Sequence, residues 1–126
     1  MRLLHTADWH LGRALNGASF LEDQAHLLRG QFLDILRETR PDALLIAGDV
    51  FDRAVPPIEA VELLDEILRR CILDLGVPVV LIPGNHDATE RLSFGASLLR
   101  GAGLHIADSA LGQAIRFQDA HGEVWI

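Results

Sequence analysis

Three short polar motifs in this chain combine residues that bind metal ions with residues that transfer protons. The first, Asp8-Trp9-His10, follows the short apolar run at the start of the chain. If the backbone is still extended there, residues i and i+2 point to the same side, so Asp8 and His10 could bind one ion together. A carboxylate with an imidazole favours Mn, Fe or Zn over Ca. The first motif thus predicts ligands for a transition-metal ion.

The second motif, Gly48-Asp49-Val50-Phe51-Asp52, directly follows the apolar run Ala43–Ala47. The Asp49 carboxylate has two oxygens and could bridge two ions, and Gly48 removes a side chain where the backbone must pass close to the site. Taken alone, Gly48-Asp49 is also a common turn or cap after a strand. We interpret Asp52 as a residue that holds a ligand or the loop, in preference to a direct ligand.

The third motif, Gly84-Asn85-His86-Asp87, follows the apolar residues 79–82. Asn85 offers a neutral oxygen ligand, His86 a titratable imidazole, and Asp87 a carboxylate that could orient the imidazole. Asn85 could also be only a turn residue, but the His-Asp pair after it is unusual for a plain turn. The motif predicts a ligand, an acid and an orienting group in consecutive positions.

The order of the motifs, D-x-H, then G-D-x-x-D, then G-N-H-D, resembles the calcineurin-like metallophosphoesterase superfamily. The longer strings at 5–12, 47–53 and 83–87 are similar to its DNA-repair exonuclease branch, and the resemblance extends from residue 1 to about residue 108. It implies two divalent ions, typically manganese. The predicted ligands are Asp8, His10 and Asp49 for the first ion, with Asp49 and Asn85 for the second.

The predicted reaction is the in-line hydrolysis of a phosphodiester. Two ions about 3.5–4 Å apart would stabilise the negative charge that grows in the transition state. His86, oriented by Asp87, would donate a proton to the leaving oxygen. His86 and Asp87 are therefore the predicted catalytic residues.

Other aromatic and histidine residues are interpreted structurally. We expect Trp9 to pack beneath the site and His5, inside a predicted strand, to be a satisfied core residue. The remaining histidines are interpreted as structural or solvated, and they are His26, His105 and His121.

The apolar pattern alternates between strands and helices, which predicts an α/β fold with a mostly parallel central sheet covered by helices and a C-terminal β-hairpin. The expected strands are 2–6, 43–47, 77–82 and 104–106, and the expected hairpin pairs 114–117 with 123–126. The expected helices are 21–36, 57–75 and 90–99. The residues expected on the inner face of the second helix are Val61, Leu64, Leu68 and Ile72. All three motifs fall at the carboxyl ends of strands, where open α/β sheets place their ligand crevice.

Composition limits the function classes. With 126 residues and 49% apolar content, the chain is one domain or part of one. It has neither an apolar run of ~18 residues nor a signal-type start, so we expect a cytoplasmic protein. The single cysteine, Cys71, is expected to pack in a helix. The net charge of −7 counts against a nucleic-acid substrate, although two divalent ions would return positive charge where the phosphate lies.

The number of predicted ligands is too small for two ions. Asp49 and Asn85 alone would hold the second ion, whereas Mn-type ions take roughly five or six ligands including water and substrate. Relatives supply further histidines from later motifs that this sequence lacks. We therefore expect residues 1–126 to be the N-terminal portion of a single metallophosphoesterase (nuclease) domain whose C-terminal part is absent, and to be poorly active or inactive alone.

The resemblance implies a DNA exonuclease and endonuclease subunit in DNA repair and recombination. It further implies an SMC-like ABC ATPase as a partner and a homodimer formed through helices near 57–75 and 90–99. Two alternatives stay open. One is another enzyme of the superfamily, either a phosphoprotein phosphatase or a cyclic-nucleotide phosphodiesterase. The other is a non-catalytic dimerisation module that binds no metal.

Overall fold

A parallel four-stranded sheet forms the centre of the fold. The computed structural model describes residues 1–107, 114–119 and 121–126. In chain order, the strands are β1 (Leu3–Ala7), β2 (Ala14–Leu15), β3 (Ala18–Ser19), β4 (Ala43–Ala47), β5 (Val79–Ile82), β6 (Leu104–Ile106), β7 (Arg116–Asp119) and β8 (Gly122–Trp125). The central sheet has the order β1-β4-β5-β6, and all of its pairings are parallel. The predicted α/β architecture with a parallel sheet is thus confirmed.

The helices connect and cover these strands. They are α1 (Leu21–Leu27), α2 (Leu33–Thr39), α3 (Ile58–Arg69), α4 (Thr89–Leu92) and α5 (Ala96–Leu99). A π-helical turn at Leu28–Phe32 joins α1 to α2, and a second at Arg70–Asp74 extends α3, so the first two predicted helices are each one continuous segment. The third predicted helix is instead two short helices, separated at Gly95, whose φ is 74°.

Strand β4 is a continuous apolar run whose two faces are buried to different extents. It lies between β1 and β5. Leu44 and Ile46 share one face and are completely buried, whereas Leu45 on the opposite face is only partly buried. Strand β1 lies at the edge, where Leu3 and His5 share a face that the described residues leave open. The prediction of His5 as a core residue was therefore wrong.

The buried face of α3 differs from the predicted one by about one residue. Val61, expected on the inner face, is 46% exposed, and Leu68 and Ile72 are only half-buried at the flank of the core. The residues of this helical segment that are buried are Ala60, Leu63, Leu64, Ile67 and Cys71. Cys71 packs in the core as predicted, and burial raises the pKa of its thiol to about 12.

The predicted C-terminal hairpin is present as β7 and β8, and Ala120 lies outside the described residues. The ammonium group of Met1 lies 2.6 Å from the Asp119 carboxylate, which ties the hairpin to the start of β1. This contact raises the pKa of the ammonium group and lowers that of Asp119. Within the described residues, no helix has the length and apolar character needed to cross a bilayer.

Candidate metal centre

The loops that follow β1, β4 and β5 meet at one end of the sheet and are joined through their main chains. The N–H groups of Asp8 and His10 donate to the carbonyl oxygens of Gly48 and Asp49, at 3.2 and 2.9 Å. The N–H of Gly48 donates in turn to the carbonyl of Ile82 at 2.7 Å. The order of the loops across the sheet is therefore fixed by the backbone before any side chain contributes.

The predicted ligands Asp8, His10 and Asp49 all have a left-handed backbone, with φ of 54°, 46° and 38°. Strand β1 ends at Ala7, so the extended backbone that would have placed Asp8 and His10 on one side is not present at these residues. Non-glycine residues adopt this conformation at an energetic cost, and such strain concentrates at functional sites. The ligands are presented by strained turns that the main-chain bonds between loops hold in place.

These turns bring the side chains of Asp8, His10 and Asp49 together. One potential ligand atom from each lies within 4.8 Å of the others. The Asp8 side chain is exposed, whereas those of His10 and Asp49 keep 21% and 13% of their accessible surface. Two carboxylates and one imidazole at this spacing fit a divalent ion of the Mn, Fe or Zn type.

The imidazole of His10 lies between two carboxylates. Its Nε2 lies 3.8 Å from Asp49 Oδ2, and its Nδ1 lies 3.4 Å from Asp52 Oδ1. Nδ1 is buried and, despite this proximity, has no partner with hydrogen-bond geometry. A proton on Nδ1 faces Asp52, which leaves Nε2 to bind an ion beside Asp49. This arrangement agrees with the interpretation of Asp52 as a residue that holds a ligand.

The third loop packs directly against Asp49. A Cβ atom at Gly84 would overlap the backbone nitrogen and Oδ1 of Asp49, so only glycine permits this approach. The N–H of His86 donates to the same Oδ1 at 2.9 Å. Asn85, between these two residues, is exposed, and its role as a ligand of a second ion stays a prediction.

The imidazole of His86 stands beside that of His10, with ring centroids 5.2 Å apart at an interplanar angle of 88°. Its Nδ1 is 3.0 Å from the carbonyl oxygen of Asp52, so Nδ1 donates this hydrogen bond and Nε2 remains available. This bond, followed by the carboxylate of Asp49, raises the pKa of His86. Sequence reasoning missed the Asp52 carbonyl, because no side-chain pattern reports a main-chain acceptor.

Asp87 does not orient His86, and this part of the prediction was wrong. Its carboxylate accepts hydrogen bonds from the N–H groups of Val50, Phe51 and Gly84, at 2.8–2.9 Å. These bonds commit both oxygens to the backbone and join the second loop to the third. Asp87 therefore holds the loops together, and the contact to the His86 ring comes from Asp52.

Trp9 packs beneath the site, as predicted. Its indole N–H donates to the hydroxyl of Thr6 at 2.9 Å, and its ring meets Phe32 edge-on with centroids 5.3 Å apart. Trp9 is partly buried and packs against the hydrophobic core.

Comparison with known proteins agrees with this geometry. Residues 1–124 match the calcineurin-like phosphoesterase family. The chain is also 42% identical, over 106 residues, to the SbcD subunit of the nuclease SbcCD from Staphylococcus saprophyticus subsp. saprophyticus. That match covers 84% of this chain but only 28% of the relative.

Proposed function

Since the chain belongs to the calcineurin-like phosphoesterase family, we propose that it forms the metal-binding part of a DNA nuclease that hydrolyses phosphodiester bonds. The observation that carries this proposal is the convergence of Asp8, His10 and Asp49 within 4.8 Å at the carboxyl end of the sheet. Similarity to a protein named as a nuclease favours a nucleic acid over other phosphate esters.

In this proposal, Asp8, His10 and Asp49 hold the first ion, while Asp49 and Asn85 hold the second. Manganese is the predicted metal, and the mixed nitrogen and oxygen donors suit it. When bound, the two ions would activate water and neutralise charge on the phosphate. Because this chain offers the second ion only two predicted ligands, we propose that residues outside this sequence complete its coordination.

His86 is the proposed proton donor to the leaving oxygen. The Asp52 carbonyl fixes its ring through Nδ1, and the exposed ring can present Nε2 to a bound phosphodiester. A proton placed there lowers the barrier to departure of the alkoxide. Asp52 thus lies against both imidazoles. Its side chain is near His10, and its carbonyl oxygen accepts a hydrogen bond from His86.

The proposed setting is DNA repair and recombination in a complex with an SbcC-like SMC/ABC ATPase. The relative is named as one component of SbcCD, which supports a second component as the partner of this chain. The net charge of −7 counts against strong DNA binding by this chain alone, because affinity for the phosphate backbone comes from Lys and Arg. The partner would supply affinity for the DNA backbone, and the metal centre would supply the chemistry.

We further propose that the chain forms a homodimer through residues 57–75 and 90–99. An open apolar groove of about 680 Å³ lies between α3 and the segment containing α4 and α5. Ile58 and Phe94 line it and are 74% and 85% exposed. Its rim carries both signs of charge, including Glu62, Asp65, Arg69 and Arg91. A two-fold related copy could cover the apolar surface and pair these charges.

Titration calorimetry with Mn²⁺ tests the metal centre. We expect the wild-type protein to bind the ion and Asp49→Ala to bind it at least about tenfold more weakly, since a first ligand is lost. Asp23→Ala, which removes an exposed carboxylate from α1, is the matched control and should bind like wild type. Equal binding by wild type and Asp49→Ala would support the non-catalytic module.

Substrate choice is tested on the protein in complex with its ATPase partner. We expect Mn²⁺-dependent hydrolysis of bis(p-nitrophenyl) phosphate in preference to the monoester, and then cleavage of double-stranded DNA. A preference for the monoester would favour a phosphatase. Cleavage of the synthetic diester without cleavage of DNA would favour a cyclic-nucleotide phosphodiesterase.

A further inference from the structure

The side chain of Gln24, on α1, binds the main chain of the loop that carries His10. Its Nε2 donates to the carbonyl oxygens of Trp9 and His10, at 3.1 and 2.9 Å. Its Oε1 accepts the N–H of Gly12 at 3.1 Å. Both amide hydrogens and the amide oxygen are therefore used within one loop.

This loop needs partners from outside its own backbone. Its chain reverses through positive φ at Asp8, His10 and Gly12, so several of its peptide groups cannot join the sheet. Among the main-chain hydrogen bonds of the described residues, neither the Trp9 carbonyl nor the Gly12 N–H has a partner. The Gln24 contacts are partly buried, where unpaired polar groups are costly.

We propose that Gln24 is a positioning residue for His10, which fixes the strained turn so that the imidazole points towards Asp8 and Asp49. The proposal rests on the function proposed above, since it assigns His10 to a metal ion. Gln24 itself binds neither ion nor substrate. Its position on the helix, more than ten residues from the motif, explains why motif reasoning did not find it.

The position of Gly12 supports this role of Gln24. Gly12 has a φ of 83°, and a Cβ there would lie 2.8 Å from Cδ of Pro57, just before α3. The loop is therefore confined between α3 on one side and the Gln24 amide on the other. Removal of the Gln24 amide would abolish one of these two restraints and leave the one from α3 intact.

Amide hydrogen exchange in the metal-free protein tests the contact directly. In Gln24→Met, a variant of similar size without the amide, we expect exchange at Gly12 to be roughly tenfold faster, as for loss of one partly buried hydrogen bond. The N–H groups of His10 and Leu11 are internal controls, because they donate to Asp49 and Val50 and should keep their protection. Gln31→Met, an exposed glutamine on the same helical segment, should leave all of these rates unchanged.

Mn²⁺ titration tests the consequence of the contact. Gln24→Met should bind the ion roughly tenfold more weakly than wild type, the effect of losing support behind a metal ligand. Gln24→Asn keeps the amide but shortens its reach, and it should behave in the same way, so it serves if Gln24→Met does not fold. Unchanged exchange at Gly12, or unchanged Mn²⁺ affinity with faster exchange, would overturn the positioning role. If wild type itself binds no Mn²⁺, the proposed metal centre fails, and the positioning role that depends on it is overturned as well.

Discussion

The loops at the candidate metal centre are stabilised by hydrogen bonds to one another, whereas the apolar groove beside α3 exposes large side chains. At the metal centre, main-chain hydrogen bonds join three loops, and Asp87 adds bonds to three N–H groups. In the groove, large apolar side chains such as Phe94 remain exposed. Contacts within this chain therefore position the three predicted ligands of the first ion, whereas the exposed apolar side chains of the groove are typical of a surface that another molecule covers.

This difference predicts different responses to mutation. Strained turns with interlocking hydrogen bonds tolerate little change, because a shift of one loop moves the ligands on the other two. An exposed apolar side chain contributes little to folding, so its replacement should spare the monomer and affect only association. Single substitutions can therefore test the metal centre and the groove independently.

Gly84→Ala should have the largest effect. The added Cβ overlaps the backbone nitrogen and Oδ1 of Asp49, so the second and third loops must separate. We expect Mn²⁺ binding to be lost and the free energy of unfolding to fall by about 1–3 kcal/mol, as for other overpacked sites. Calorimetric titration and thermal unfolding measure the two effects.

Gly30→Ala is the matched control for this substitution. Gly30 lies in the π-helical turn between α1 and α2, and a Cβ there meets no atom within 4 Å. It should leave Mn²⁺ binding unchanged and stability equal or slightly higher, since alanine favours helix. Wild-type Mn²⁺ affinity in Gly84→Ala would show that the loops are looser than their hydrogen bonds indicate.

His86→Ala should affect chemistry alone. The ring is exposed, and the N–H that binds Asp49 belongs to the main chain and survives the substitution. In the complex with the proposed ATPase partner, we expect turnover to fall roughly a hundredfold or more, the usual effect of losing a general acid, with Mn²⁺ content and stability unchanged. His26→Ala, which removes an exposed imidazole from α1, should retain full turnover. Loss of metal together with turnover would mean that His86 is a ligand and not an acid.

The sequence predicted which three motifs meet and that Asp8, His10 and Asp49 come together, but not how the chain presents them. Apolar runs followed by polar motifs located the ends of β1, β4 and β5, and a parallel sheet brings such ends together. The left-handed turns at Asp8 and His10 left no such signal, because they depend on bonds to residues some forty positions away. Backbone strain of this kind is a tertiary property and not a local preference.

The error over Asp87 has a related cause. Its place next to His86 in the sequence favoured a direct contact, but the chain turns so that the Asp87 carboxylate accepts from three N–H groups and the His86 ring contacts the Asp52 carbonyl.

The error at Val61, on α3, has a different cause. Its helix carries two apolar stripes, one in the core and one on the groove, and periodicity alone cannot tell which stripe is buried.

The apolar stripe of α3 that lines the groove leads to the prediction with the smallest effect on the folded chain. Phe94 is 85% exposed, so Phe94→Ser should leave stability and Mn²⁺ binding unchanged in the monomer. In the proposed dimer it would lie in the apolar centre, where loss of an aromatic anchor typically costs about 2 kcal/mol or roughly a thirtyfold weaker association. Sedimentation equilibrium measures this change, and Leu15→Ser, which alters an exposed leucine on β2 outside the groove, should dimerise like wild type. An unchanged dimer in Phe94→Ser would mean that the groove is not the dimer interface and that another partner covers it.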